Sequence, residues 1–110
     1  MTKCEITSFA KTSLAGINLA ESFTIEWEEN PNRGGAVSYV RGEYRGILYL
    51  SNDLELVPLA TITGVVLHEI AHCIDVSQRG FTAHDARWRE IVRKIGGDEK
   101  EVIDLYGIFC

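Results

Sequence analysis

The sequence predicts an α+β domain. Three observations carry that prediction: a long apolar stretch containing H-E-x-x-H at His68, Glu69 and His72, three short segments of strand character between residues 23 and 50, and helical periodicity on both sides of them. The 110 residues suit one domain with one modest core, so 1–110 is read as a single unit. A hydrophobic content of 45% with 25% charged residues is ordinary for a globular chain and excludes general disorder.

Taken in order, residues from Glu5 to Ala20 place Ile6, Phe9, Ala10, Leu14 and Ile17 near helical spacing, which predicts an amphipathic helix weakened toward its end by Gly16 and Asn18. Phe23 to Glu29 alternates apolar and polar residues, as a half-buried strand requires. Turn formers from Asn30 to Gly35 break the chain, Ala36 to Arg41 resumes as a strand, the Gly42–Gly46 stretch turns it, and Ile47 to Leu50 completes what reads as an antiparallel meander. Asn52 to Val57 is a connection, and Pro58 suits the first turn of the next helix because its missing N–H costs nothing there.

Leu59 to Val76 is helical, with Ile62, Val66, Ile70, Cys73 and Ile74 as its apolar stripe and Gly64 as a point of close backbone approach. After a break at Gln78-Arg79-Gly80, Thr82 with Asp85 three residues on reads as a capping box. A second helix is therefore predicted from about Ala83 to Ile95, with His84 in its first turn, Trp88, Ile91, Val92 and Ile95 buried, and Gly96-Gly97 as its stop. A further helix over Glu99–Cys110 is suggested by Val102, Ile103, Leu105 and Tyr106.

Histidines four apart on a helix share a face, so His68 and His72 can aim their imidazoles at one metal ion. Zinc takes imidazole nitrogens at about 2.0–2.1 Å and in catalytic sites uses three protein ligands, leaving one position to water. Glu69 lies about 100° further round the helix, beside the ligands, where it can act as general base toward a metal-activated water. The remaining histidine, His84, is the candidate third ligand. The alternative is a carboxylate from a later helix, Glu90 or Glu101, which leaves His84 without a role. The metzincin spacing fails, since it needs glycine where Asp75 stands and histidine where Gln78 stands.

Asp75, about 20° from His68 on the same helical face, is the candidate to hold a ligand's other ring nitrogen. Cys73 touches His72 in sequence but points into the apolar stripe and is read as a buried thiol. Three cysteines, odd in number and without a C-x-x-C pair, argue against a disulfide framework or a zinc ribbon.

Leu67-His68-Glu69-Ile70-Ala71-His72, together with Ile25-Glu26-Trp27, Gly46 to Ser51 and His84-Asp85-Ala86-Arg87-Trp88, resembles the SprT-like (Spartan-type) zinc metalloproteases, in that family's order over nearly the whole chain. The family's His-Gly-Pro at the third ligand is His84-Asp85-Ala86 here, and the zinc ribbon or tails of larger members have no counterpart. The resemblance implies a zincin fold, Zn²⁺ on His68, His72 and His84, and peptidase activity, in some relatives on proteins attached to DNA. It also implies that a substrate backbone is taken up as an added strand at one sheet edge, with Ile47 to Ser51 the favoured edge.

A net charge of −5 disfavours a free-standing nucleic-acid binder. The cations are uneven, however: residues 78 to 95 carry +3, leaving −8 elsewhere, and that segment reads either as the solvated face of a helix or as a patch for a polyanion. No apolar run has the length of a membrane span, and the N-terminal residues lack a signal peptide's apolar core, so a cytoplasmic, monomeric protein without membrane partners is expected. The leading reading is a zinc-dependent endopeptidase, a hydrolase acting on protein or peptide. The rivals are a catalytically silent, zinc-stabilised protein-binding module, for which Glu69 would have no use, and a metallo-hydrolase of cell-wall or small amide substrates.

Overall fold

The computed structural model describes residues 1–30 and 33–100. Helix α1 (Lys3–Ala15) is followed by strands β1 (Phe23–Glu28), β2 (Gly35–Tyr39) and β3 (Gly46–Ser51), a 3-10 turn (Asn52–Leu56), the long helix α2 (Leu59–Arg79) and helix α3 (Ala86–Ile95). Helix α1 starts earlier than its periodicity suggested because Thr2 and Glu5 form a capping box: the Thr2 hydroxyl accepts from Glu5 N–H, and Glu5 Oε1 accepts from Thr2 N–H. It ends at Ala15, before Gly16 and Asn18, the latter with a left-handed φ of 61°. Of the expected C-terminal helix, Glu99 and Lys100 are not helical, and the rest lies outside the described residues.

The expected antiparallel meander is not what forms. The sheet order is β1-β3-β2, with β3 parallel to β1 and antiparallel to β2. The chain leaves β1, crosses the end of β3 and comes back along its far side. Ser51, buried at the end of β3, holds that crossing segment, donating its N–H to Gly34 O and its hydroxyl to Asn30 O, both at 2.8 Å. β3 takes the middle as an uncharged strand, Gly-Ile-Leu-Tyr-Leu-Ser, with Leu48 and Leu50 fully buried, while β1 keeps its two glutamates on an edge. Ile47 to Ser51 therefore cannot receive an added strand, since both its sides are already paired. Among the described residues the unpaired edge beside α2 is that of β2.

Helix α2 organises the core. Ile62, Val65, Val66, Ile70, Cys73 and Val76 pack with Ile6, Ala10 and Leu14 of α1 and with Phe23, Leu48, Leu50 and Leu54. Contrary to the expectation that no apolar stretch has that length, α2 is long and apolar enough by length and mean hydropathy to cross a bilayer, but most of it is buried within the fold. It continues past the expected break to Arg79, and Gly80, at φ 73°, is its left-handed C-cap. A smaller cluster, Ala71 with Trp88, Ile91 and Val92, fastens α3 to the opposite side of α2.

Candidate metal centre

Midway along α2, His68, Glu69 and His72 are each buried, yet they face away from the apolar stripe into a cleft of about 340 Å³. The outer nitrogen of each helical histidine has a partner, and the partners fix the tautomers. His68 Nδ1 lies 2.5 Å from Asp98 O, a carbonyl that can only accept, so Nδ1 carries the proton. His72 Nδ1 lies 2.7 Å from the Thr82 hydroxyl, whose own proton goes to Asp75 Oδ2 at 2.8 Å, so this Nδ1 is also the donor. Both Nε2 atoms are left with free lone pairs, the form a metal requires.

Asp75 thus supports His72 through Thr82 rather than by touching the ring. Thr82 is not a helix cap. Asp85 caps α3, accepting from Trp88 N–H at 3.1 Å, and the helix begins at Ala86, so His84 sits in the segment before it. That segment is also tied to β2, where the Tyr39 hydroxyl donates to Thr82 O at 3.1 Å and accepts from Thr82 N–H at 3.3 Å.

This wiring brings His84 to the helical pair. The His72 and His84 Nε2 atoms are 3.2 Å apart, and one nitrogen from each of the three histidines lies within 4.8 Å of the others. Two ligands at the usual zinc–nitrogen distance on a tetrahedral ion lie about 3.3 Å apart, so the His72–His84 pair already has that spacing and the three donors together could hold such an ion. Trp88 is the floor of the site: its ring centroid is 4.7 Å from all three imidazoles, stacked on His72 and edge-on to the others. Glu90, the carboxylate alternative, is instead on the surface with Arg87 and Lys94, and Glu101 lies outside the described residues.

Two glycines make room. A Cβ on Gly35 would meet Tyr49 O at 2.6 Å and Glu69 Cγ at 2.9 Å, so the Glu69 side chain lies directly against the β2 backbone. A Cβ on Gly97 would lie 2.9 Å from His68 N, so only glycine lets the chain after α3 press on α2 and deliver the Asp98 carbonyl to His68; Asp98 N–H also donates to Gly64 O.

Glu69 Oε2 is 4.0 Å from His68 Nε2. Burial raises the Glu69 carboxyl from 4.5 to about 8, against the pull of Arg33 at the cleft wall. Burial lowers His72 from 6.5 to about 3, the neighbouring His68 and His84 adding to the effect, and it lowers His68 as well. These shifts set a pH profile for the metal-free protein. His68 and His72 are protonated more readily in the unfolded chain, so their contribution is present above pH 6.5 and is lost as pH falls below it. Glu69 has the opposite sign: its contribution is complete below pH 4.5 and is lost as pH rises toward 8. Between 4.5 and 6.5 His72 offsets Glu69 and His68 adds to it, and above 6.5 Glu69 acts alone. Urea midpoints in excess chelator should therefore peak near pH 6.5 and fall by pH 8, and zinc should remove the fall because a dication favours the carboxylate. A flat midpoint across that upper range would contradict the assignment.

The basic segment is largely neutralised internally. Arg79 pairs with Asp75 and Asp85, Arg87 with Glu90, Arg93 with Glu99 and Lys94 with Glu90. Cys73 is fully buried, as a packed thiol. Asp98 gave no signal in the sequence, because a main-chain carbonyl has none; Thr82 did, but the same Thr-x-x-Asp spacing also spells a cap.

Among solved structures, the chain is similar to the crystal structure of the metallopeptidase zymogen of Pyrococcus abyssi abylysin, with a TM-score of 0.56 and 16% identity, covering 83% of this chain and 76% of that one. At that identity the likeness is one of fold. No protein-family model matches the chain, and no curated protein matches it.

Proposed function

We propose that this chain is a zinc-dependent endopeptidase of SprT-like type. The observation that carries the reading is the convergence of three imidazoles, two of them with Nδ1 held as donor, on one point beside a buried carboxylate. His68, His72 and His84 would hold the metal. Zinc, when bound, supplies Lewis-acid polarisation of the scissile carbonyl and acidifies water. Glu69 accepts the proton of the attacking water and returns it to the leaving nitrogen, a task suited to a carboxylate whose affinity for protons burial has raised. The substrate lies along β2, whose Gly35, Ala36 and Val37 line the same cleft as the histidines and whose outer edge carries no strand among the described residues. Recognition through main-chain hydrogen bonds makes side-chain selectivity loose.

The deciding experiment measures zinc content and cleavage of an unfolded protein substrate, with and without single-stranded DNA. About one zinc per chain together with cleavage supports the peptidase, and stimulation by DNA supports action on DNA-associated proteins. Zinc without cleavage under any condition turns the reading to a zinc-stabilised binding module; absence of zinc removes both.

A further inference from the structure

The segment carrying His84 is fastened by more than the histidines require. In the last turn of α2, Arg79 grips the fully buried Asp75 carboxylate with two bonds of 2.6 Å, from Nε to Oδ1 and from Nη2 to Oδ2. The same guanidinium grips Asp85 with two bonds of 3.0 Å, from Nη1 to Oδ2 and from Nη2 to Oδ1. One arm therefore runs from Arg79 through Asp75 and Thr82 to Nδ1 of His72. The other runs through Asp85, the residue that follows His84 and caps α3. The guanidinium also lies 4.4 Å from the Phe81 ring, holding the start of the segment between the two arms.

We propose that Arg79 is a positioning residue that sets His84 in register with His72, so that the two ligands are presented to the metal as one unit. The inference rests on the reading of the three histidines as a metal site. An Asp–Arg pair four apart on a helix needs only one of these contacts and is worth little by itself. The bonds to Asp85 cross the loop and do nothing for the helix. They need a planar fork with donors on two edges, which lysine lacks.

The test compares wild type, Arg79→Gln and Asp85→Asn, with His84→Ala as the reference for loss of that ligand. Asparagine still caps α3 but gives up the charge that Arg79 grips, so Asp85→Asn keeps the test open if Arg79→Gln does not fold. Zinc affinity is measured by chelator competition, the zinc-induced rise in melting temperature is recorded for each protein, and Co²⁺ is added as a spectroscopic probe. Arg79→Gln is expected to weaken zinc binding about 10–100-fold, with a smaller loss in Asp85→Asn. Both variants should show a reduced zinc-induced melting shift and a visible cobalt spectrum moved toward that of His84→Ala. A purely structural role would lower the melting temperatures with and without zinc equally and leave affinity and spectrum unchanged, and that result overturns the inference alone. A wild-type protein that binds no zinc overturns the metal reading, and this inference with it.

Discussion

Replacing Glu69 by glutamine is expected to lower peptide-bond cleavage by about 10²–10⁴-fold, the usual contribution of a positioned general base, while zinc content stays at the wild-type level. Glutamine keeps the volume that fits against Gly35, so the cleft should retain its shape, and Glu69 is not among the three converging imidazoles. What is lost is a carboxylate in a buried position, where proton affinity is high enough to take a proton from water and low enough to return it. The loss should appear in kcat with little change in KM, since the proposed substrate contacts along β2 are main-chain hydrogen bonds. The same substitution should abolish the decline of metal-free stability between pH 6.5 and 8, because the group responsible is gone. Wild-type kcat in Glu69→Gln would place the base elsewhere.

Truncating Trp88 to alanine is expected to destabilise the metal-free protein by about 3–5 kcal/mol, a large part of the roughly 5–15 kcal/mol that holds a domain together. The indole is fully buried, joins α3 to α2 with Ala71, Ile91 and Val92, and stacks on His72 at an interplanar angle of 14°. Its removal opens a cavity beneath the histidines and frees their rings to turn. Folding of the variant should therefore become dependent on added zinc, which stabilises the native state by mass action. Trp88→Phe should cost less, because the indole N–H has no hydrogen-bond partner among the described residues and no bond is lost with it. Urea denaturation with chelator and with zinc checks both. A Trp88→Ala protein within about 1 kcal/mol of wild type would mean that the site does not rest on this ring.

The sequence by itself determined the long helix and what it presents. Spacings of three and four residues are a property of one helix, so Ile62, Val66, Ile70 and Cys73 could be assigned to the core, and His68 and His72 to one face, without knowledge of any neighbour. The strands were legible as well, the first through its alternation, which reports the residues that share a face of the pleat, and the other two through the turn formers that bound them. Alternation does not report which strand lies beside which, and the connections of β2 to its neighbours fit a meander as well as the order that forms. Tertiary structure decided that β3 is central and that, among the described residues, β2 is the open edge at the histidines. It also decided what holds the imidazoles: a main-chain carbonyl at Asp98, brought in by the close approach of Gly97, and a threonine hydroxyl whose proton is already committed to Asp75. Periodicity within one element is set by the backbone's own geometry and survives in the sequence. The partners of a buried nitrogen come from segments 10 and 30 residues away, and only the packing of α2 against those segments selects them.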